Sequence, residues 1–149
     1  MTNTITALET ENERLKAELQ NARIDLVTVT HWKCSEVLNN VERSVHENAI
    51  AHGFYDDIHQ LTDRMAKEDP KREAVKRDFV LAQLAKIASE VGEAVHAIQH
   101  DDGTLSEELA DIIIRTLDLM SYLAIDAGQV VLDKMSVNAN RPYKHDKTC

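Results

Sequence analysis

Glycine, proline and aromatic residues are scarce in this chain of 149 residues. It contains four glycines and two prolines, and aromatic side chains make up 4% of it. Alanine, leucine, glutamate and lysine-type residues dominate, and they favour helix. No segment alternates apolar and polar residues in the way that a half-buried strand does. The composition therefore predicts an all-α protein.

Cysteine, long apolar runs and positive charge are scarce as well. Cys34 and Cys149 are too few and too far apart for a disulfide framework, which indicates a reducing compartment. No apolar run approaches the length of a membrane span, and the N-terminus lacks the apolar core of a signal peptide. We therefore expect a cytoplasmic protein with no membrane partner.

The formal net charge of −9 argues against a nucleic acid as the main partner, because binding to a phosphate backbone needs a basic face. An acidic protein can still bind a phosphorylated small molecule when divalent metal ions screen the charge. The charge therefore leaves small phosphorylated ligands open.

The first 30 residues carry a heptad pattern. Apolar residues alternate at spacings of three and four, with one asparagine at an a position, where a polar side chain often fixes register. We predict an N-terminal coiled-coil helix (1–30) that joins subunits, followed by a helical catalytic domain (31–149). An ordinary amphipathic helix lying on its own domain would give the same pattern. The a and d residues are Ile5, Leu8, Asn12, Leu15, Leu19, Ala22, Leu26 and Val29.

The rest of the chain reads as a four-to-five-helix bundle. The heptad fails after Thr30, so a new helix is expected from residue 31 to about 52, ending at Gly53. Further helices are expected over about 55–66, 72–99, 104–126 and 129–140. Their breaks fall at Asp69-Pro70, at the turn 101–103 and at Gly128. The helix over 104–126 is apolar enough to be buried on more than one side, whereas the tail 141–149 is polar and loosely held.

Two carboxylate pairs flank the turn at 101–103. Glu90 and Glu93 are three residues apart on one predicted helix, and Glu108 and Asp111 are three apart on the next. Side chains at i and i+3 share a helix face. Oxygen ligands of this kind suit Mg²⁺, which keeps waters that substrate phosphates can replace. A solvated helix face is the alternative, but these acids are interleaved with apolar residues, and buried carboxylates need a partner.

These residues resemble the MazG-like all-α nucleoside triphosphate pyrophosphohydrolases. The resemblance rests on Lys86-x-x-x-Glu90-x-x-Glu93, on Glu108-x-x-Asp111 after a short linker, and on the segment KMSVNANRPYKH at 134–145. It covers roughly residues 31–147, so the heptad segment is an addition to the family core.

The resemblance implies Mg²⁺-dependent hydrolysis of a nucleoside triphosphate, a dNTP or a non-canonical NTP, to the monophosphate and pyrophosphate. Mn²⁺ is an alternative metal. The family pattern assigns metal binding and catalysis to Glu90, Glu93, Glu108 and Asp111. It assigns contacts with the triphosphate to Lys134, Asn138 and Arg141. Lys86 would reach phosphate or neutralise the acids, or else be a plain surface lysine. The family also forms pairs, so we expect a homo-oligomer, a dimer or a tetramer.

The sequence does not predict which nucleotide base the substrate carries. Candidates for contact with the base are side chains in or after the first core helix, although a tryptophan or histidine there is more often part of the core. They are Trp32, His46, Asn48, Phe54 and Tyr55.

Three other functions stay open at this point. One is a phosphoribosyl-ATP pyrophosphohydrolase of the same superfamily. Another is a non-enzymatic coiled-coil interaction module whose acids are only solvated. The third is a di-iron carboxylate bundle, suggested by Glu93-x-x-His96 and Asp56-x-x-His59, which would leave the second carboxylate pair unexplained.

Overall fold

The described part of the protein folds into five α-helices. The computed structural model describes the backbone of residues 2–142, and the side chains of these residues except 2–7 and 27. The described residues include no strand, which confirms the all-α prediction. The side chain of the heptad residue Ile5 and the predicted loose tail beyond Pro142 lie outside this description. The helices are α1 (Thr2–Ala51), α2 (Asp56–Asp63), α3 (Pro70–His100), α4 (Leu105–Tyr122) and α5 (Ala127–Ala139).

The first helix is continuous, so the predicted break after Thr30 is wrong. No glycine or proline occurs before Gly53, and the loss of the heptad changes which face is apolar without ending the helix. The hydroxyls of Thr28 and Thr30 donate to the carbonyls of Ile24 and Leu26 within α1, as threonine does inside helices. Whether residues 1–30 act as a separate oligomerising unit stays a prediction.

Helices α1 and α4 end with the same hydrogen-bonded turn. At the end of α1, the predicted terminator Gly53 adopts φ +77°, and its N–H donates to the carbonyl of Ile50. At the end of α4, Ala124 adopts φ +54° and donates to Ser121, while Ile125 donates to Met120. This is a Schellman motif, which usually places glycine in the left-handed position.

The predicted break at Gly128 and the predicted end of α4 near Asp126 are therefore wrong. The chain turns at Ala124 instead, and α5 begins at Ala127 with Gly128 inside its first turn. The Asp126 side chain accepts a hydrogen bond from the backbone N–H of Gln129. Asp126 thus caps α5 in the usual way.

Helices α3 and α4 form an antiparallel pair about a short turn. Asp69 caps α3 and Pro70 is its first residue, so the predicted break at Asp69-Pro70 is confirmed. The turn contains two left-handed residues, Asp101 at φ +51° and Gly103 at φ +81°. Thr104 precedes α4 without a side-chain capping hydrogen bond, and its hydroxyl donates to Asp102.

Helix α4 packs on both α3 and α1, while α5 packs mainly on α1. The core lies where α1, α2 and α3 meet, and aromatic rings dominate it. Tyr55 is 2% exposed and stacks on Tyr122, with ring centroids 5.4 Å apart, and Phe79 lies 5.6 Å from Tyr55. Ile58 and Ala49 complete the buried cluster.

Much of the predicted core is solvent-exposed in the single chain. The second half of α4 is buried on more than one side, as predicted, with both Leu117 and Leu119 buried. In its first half, Leu109 is 49% exposed and Ile113 is 58% exposed. Val91 and Val95 on α3 are also about half exposed. Among the described residues no further helix covers this face of α3 and the first half of α4, so the predicted burial is wrong there. No helix among the described residues is long and apolar enough to cross a membrane.

Gly128 provides a test of the contact between α5 and α1. A Cβ at this position would lie 2.5 Å from the carbonyl oxygen of Ser35 and 2.7 Å from its Cα, so the two helices would have to move apart. We expect Gly128→Ala to lower the free energy of unfolding by about 1–3 kcal/mol, the usual cost of overpacking. Chemical denaturation would measure the change.

Gly92→Ala is the matched control. A Cβ at Gly92 would meet no described atom within 4 Å beyond its own stretch of helix, so no neighbouring helix packs closely on it. Alanine favours a helix interior by roughly 0.5–1 kcal/mol over glycine. If Gly128→Ala is no more destabilising than Gly92→Ala, α5 does not depend on close contact with α1.

Candidate functional site

Three of the four predicted metal ligands meet between α3 and α4. Glu90, Glu93 and Glu108 each present a carboxylate oxygen, and the three oxygens lie within 4.8 Å of one another. Glu90 is buried, Glu108 is half-buried and Glu93 is exposed. The group thus reaches from the helix interface to the surface, and we call these three residues the acid cluster.

The fourth predicted ligand, Asp111, lies beside the acid cluster without joining the close oxygen group. It is one helical turn beyond Glu108 on α4 and lines the cavity described below. Its charge contributes to a raised pKa of Glu108. Asp111 is therefore near enough to act with the cluster, from the cavity side.

The acid cluster is electrostatically strained. Loss of hydration is the main cause that raises the pKa of Glu108, followed by the negative charge of Glu93. The nearby Thr104 side chain opposes this rise, and the charges of Glu90 and Asp111 add to it. Carboxylates that repel one another at this distance favour a bound cation. Their oxygens match the ligand preference of Mg²⁺ and Mn²⁺, so the donor set fits the metal that the sequence predicted.

Glu90 has one cationic partner, Arg115 on α4. The Arg115 Nε donates to Glu90 Oε1 over 2.6 Å. The Glu90 side chain is 8% exposed, and a charge so buried requires a partner of this kind. Sequence reasoning missed Arg115, although the signal was present: it follows Asp111 by four residues and so lies on the same face of α4.

A cavity of about 390 Å³ adjoins the acid cluster. Its walls come from α1, the turn after α1, α3 and α4, and its volume lies within the range of small-molecule sites. The predicted phosphate contact Lys86 lines it together with Asp111 and Arg115. The other lining residues are Ser44, Val45, Asn48, Ala49, Phe54, Tyr55, Gln83, Ile114 and Asp118.

The wall formed by α1 and its following turn carries aromatic and amide groups. Three of the five predicted base-site candidates, Asn48, Phe54 and Tyr55, line the cavity. Phe54 is 69% exposed, which leaves its ring available for stacking. Trp32 is 64% exposed and is not among the lining residues, so it is neither core nor part of this cavity.

The Tyr55 hydroxyl is buried without a hydrogen bond of ordinary geometry. Burial is the first cause that raises its pKa, and the nearby Asp118 carboxylate is the second. Asp118 is itself joined to His46 Nδ1 by a 2.7 Å hydrogen bond. His46 is not a lining residue itself, but it fixes the position of the lining residue Asp118. Because Tyr55 keeps its proton, its hydroxyl remains a donor for a ligand group.

The predicted phosphate contacts Lys134, Asn138 and Arg141 are not at this cavity. The first two are exposed on α5, Arg141 follows that helix, and α5 packs mainly on α1. Helix α5 begins beside Asn39, seven residues before His46 on α1, because the N–H of Gly128 donates to Asn39. It also follows Tyr122, the last residue of α4, whereas Glu108 lies in the first turn of α4. Glu108 and Tyr122 are roughly 20 Å apart along α4, at about 1.5 Å per residue. A single chain thus separates these three residues from its own acid cluster.

The histidines that suggested a di-iron bundle are elsewhere. His96 lies beside Asp102, at 3.6 Å, and beside the ring of His100. His59 stacks on Tyr55. Among residues with described side chains, the acid cluster contains glutamates alone. This arrangement does not match the paired Glu-x-x-His pattern of a di-iron site.

Comparison with known proteins bears on the same helices. Residues 80–141 match the family model of the MazG nucleotide pyrophosphohydrolase domain. The match takes in most of α3 and all of α4 and α5, and so includes every predicted ligand of metal and phosphate. No curated protein and no solved structure matches the chain. This segment, which carries both carboxylate pairs, is therefore MazG-like.

Proposed function

We propose that this protein hydrolyses a nucleoside triphosphate, a dNTP or a non-canonical NTP, to the monophosphate and pyrophosphate, with Mg²⁺ or Mn²⁺. The observation that carries the proposal is the meeting of three carboxylate oxygens within 4.8 Å beside a cavity of about 390 Å³ that two cationic side chains line. The match to a MazG nucleotide pyrophosphohydrolase domain supports it.

The acid cluster would hold the metal. A bound divalent ion supplies Lewis-acid polarisation of phosphoryl oxygens and a lowered pKa of its water. Glu90, fixed by Arg115, provides the rigid inner ligand, while Glu93 and Glu108 complete the set from the two helices. Asp111, on the cavity side, is placed to orient the attacking water or accept its proton.

The cavity would take the nucleotide. Lys86 contributes positive charge on the cavity wall that α3 forms, where phosphates would meet the metal. Towards α1, Phe54 offers a face for base stacking, and Asn48 and Gln83 offer amide donors and acceptors. The buried hydroxyl of Tyr55, which has no hydrogen bond of ordinary geometry to any described residue, adds a donor. Water is added across the α–β phosphoanhydride, and pyrophosphate leaves.

A second copy of the chain would complete the site. Lys134, Asn138 and Arg141 are distant from their own acid cluster, so we propose that they act on the phosphates held by the partner. The exposed apolar groove between α3 and α4 is a suitable contact surface for pairing. Its residues are Val91, Ala94, Val95, Ile98, Gln99, Leu109 and Ile112.

The N-terminal half of α1 would add a second contact between copies. Leu8, Leu15 and Leu19 are at least half exposed on it, as free heptad positions are. Within the chain, Glu11 and Glu18 both pair with Arg14. A parallel coiled coil here would join protomers within a dimer or join dimers into a tetramer.

Substitution of the acids tests the enzymatic proposal. We expect Glu90→Gln, Glu93→Gln, Glu108→Gln and Asp111→Asn each to lower Mg²⁺-dependent pyrophosphate release by about 100-fold or more. Metal stabilisation of the transition state is worth several kcal/mol, and about 1.4 kcal/mol corresponds to a tenfold rate change. A screen of canonical and damaged (d)NTPs, followed by release assays, provides the measurement.

Glu107→Gln is the matched control for these variants. Glu107 is the neighbour of Glu108 in the first turn of α4, it is exposed, and it is not part of the acid cluster. Its substitution should leave the rate near that of the wild type. Retention of activity in the four acid variants would instead favour a non-enzymatic interaction module.

Subunit mixing tests the shared site. Glu108→Gln chains and Lys134→Ala chains should each be nearly inactive, yet regain about one quarter of wild-type activity after exchange. Half of randomly formed dimers are then mixed, and each mixed dimer has one intact site. Enzyme assays and native mass measurements on the same samples follow the recovery.

Mixing Glu108→Gln with Glu93→Gln is the control, since both defects fall in one half of the site and no activity should return. The absence of recovery in the first mixture would refute a site shared between copies.

Repeating the mixture with chains that lack residues 1–29 examines the coiled coil. Recovery should persist while the mass of the assembly falls, and an unchanged mass would remove the coiled-coil proposal.

A further inference from the structure

We propose that Arg115 binds a phosphate group of the substrate through its terminal nitrogens while its Nε continues to hold Glu90. Arg115 would then connect the innermost metal ligand with the triphosphate. This inference rests on the proposed function, and it gives a phosphate contact to the same chain that supplies the acid cluster.

Only one of the three side-chain nitrogens of Arg115 has a hydrogen bond to a described residue. A guanidinium has five N–H donors arranged in a fixed plane. The Arg115 Nε donates to Glu90, and neither terminal nitrogen has a hydrogen bond to any described residue. The side chain is 42% exposed and forms part of the cavity wall. Four donors are therefore available at the cavity.

The cavity wall makes an anion the suitable partner for those donors. Lys86 lines the same cavity, so two positive side chains are available to one ligand. Asp111 is also nearby, but a metal held by the acids would offset its charge and that of the cluster. Arginine recognises phosphate oxygens with two parallel N–H groups, which a lysine cannot reproduce.

The bond from Nε gives Arg115 a second effect. In the absence of metal, Arg115 is the cation that compensates the buried charge of Glu90. Loss of the guanidinium would leave that charge unpaired and destabilise the fold. Metal binding would supply the missing positive charge. A variant without the guanidinium should therefore be stabilised by metal more than the wild type is.

Two variants and a control separate these effects. Arg115→Gln removes the charge, and Arg115→Lys keeps the charge but loses the planar set of donors. Arg77→Gln is the matched control, since Arg77 is exposed on α3 and its described ion pair is with its neighbour Asp78. Calorimetry with inorganic tripolyphosphate and Mg²⁺ measures phosphate binding, and melting temperatures with EDTA or Mg²⁺ measure the effect on Glu90.

Arg115→Gln should weaken tripolyphosphate binding by about tenfold or more, the usual value of a charged hydrogen bond. Arg115→Lys should recover part of this loss, and Arg77→Gln should bind as the wild type does. Arg115→Gln, which leaves the Glu90 charge unpaired, should melt lower in EDTA and gain more from Mg²⁺ than the wild type.

Unchanged tripolyphosphate affinity in Arg115→Gln, or no binding to the wild type, would overturn the inference. A lower melting temperature with unchanged affinity would overturn it too, because Arg115 would then only support Glu90. If the Gln variant does not fold, wild-type affinity in Arg115→Lys would overturn the proposed role of the planar donor set. If tripolyphosphate binding depends on Arg115, the inference is supported even when no (d)NTP is hydrolysed. The absence of hydrolysis would reject the proposed function but not the phosphate contact of Arg115.

Discussion

Repulsion among carboxylates at the α3–α4 interface is the constraint on which the rest of the site depends. Glu90, Glu93 and Glu108 bring their oxygens within 4.8 Å, and this crowding helps to raise the pKa of Glu108. Within the described part of the chain, one guanidinium opposes this charge directly, and it engages Glu90 alone. A divalent cation would neutralise the remainder, so the fold places the acids at an energetic cost that metal binding would recover.

The surrounding helices place this negative charge beside a cavity. Helix α4 packs on both α3 and α1, so the face that carries Asp111 and Arg115 opens on a cavity closed by the aromatic turn after α1. A metal at the cluster would thus lie beside a space large enough for a nucleotide. The apolar groove left open by the same two helices favours a second copy. The proposed metal binding, substrate binding and pairing would all depend on the α3–α4 pair.

Sequence reasoning predicts the helical class and the acid cluster because both depend on local spacing. It fails where the deciding contacts are distant or unusual. The predicted end of α4 lies too far along the chain because alanine, rather than glycine, occupies the left-handed position at Ala124. The loss of the heptad after Thr30 changes the apolar face of α1 but does not end the helix. The spacing from Asp111 places Arg115 on the correct face of α4, but its pairing with Glu90, 25 residues away, depends on how α3 and α4 pack. The remoteness of α5 from the acids follows from its packing on α1, which no motif encodes.

Anomalous diffraction from crystals grown with Mn²⁺ and a triphosphate analogue that resists α–β cleavage tests the central claim most directly. We predict a manganese peak between Glu90, Glu93 and Glu108, with carboxylate oxygens at about 2.0–2.2 Å, typical for a hard divalent ion. The analogue's phosphates should reach the same ion from the cavity. An acid cluster with no manganese, while the nucleotide binds elsewhere, would contradict the proposed metal site and the reaction assigned to it.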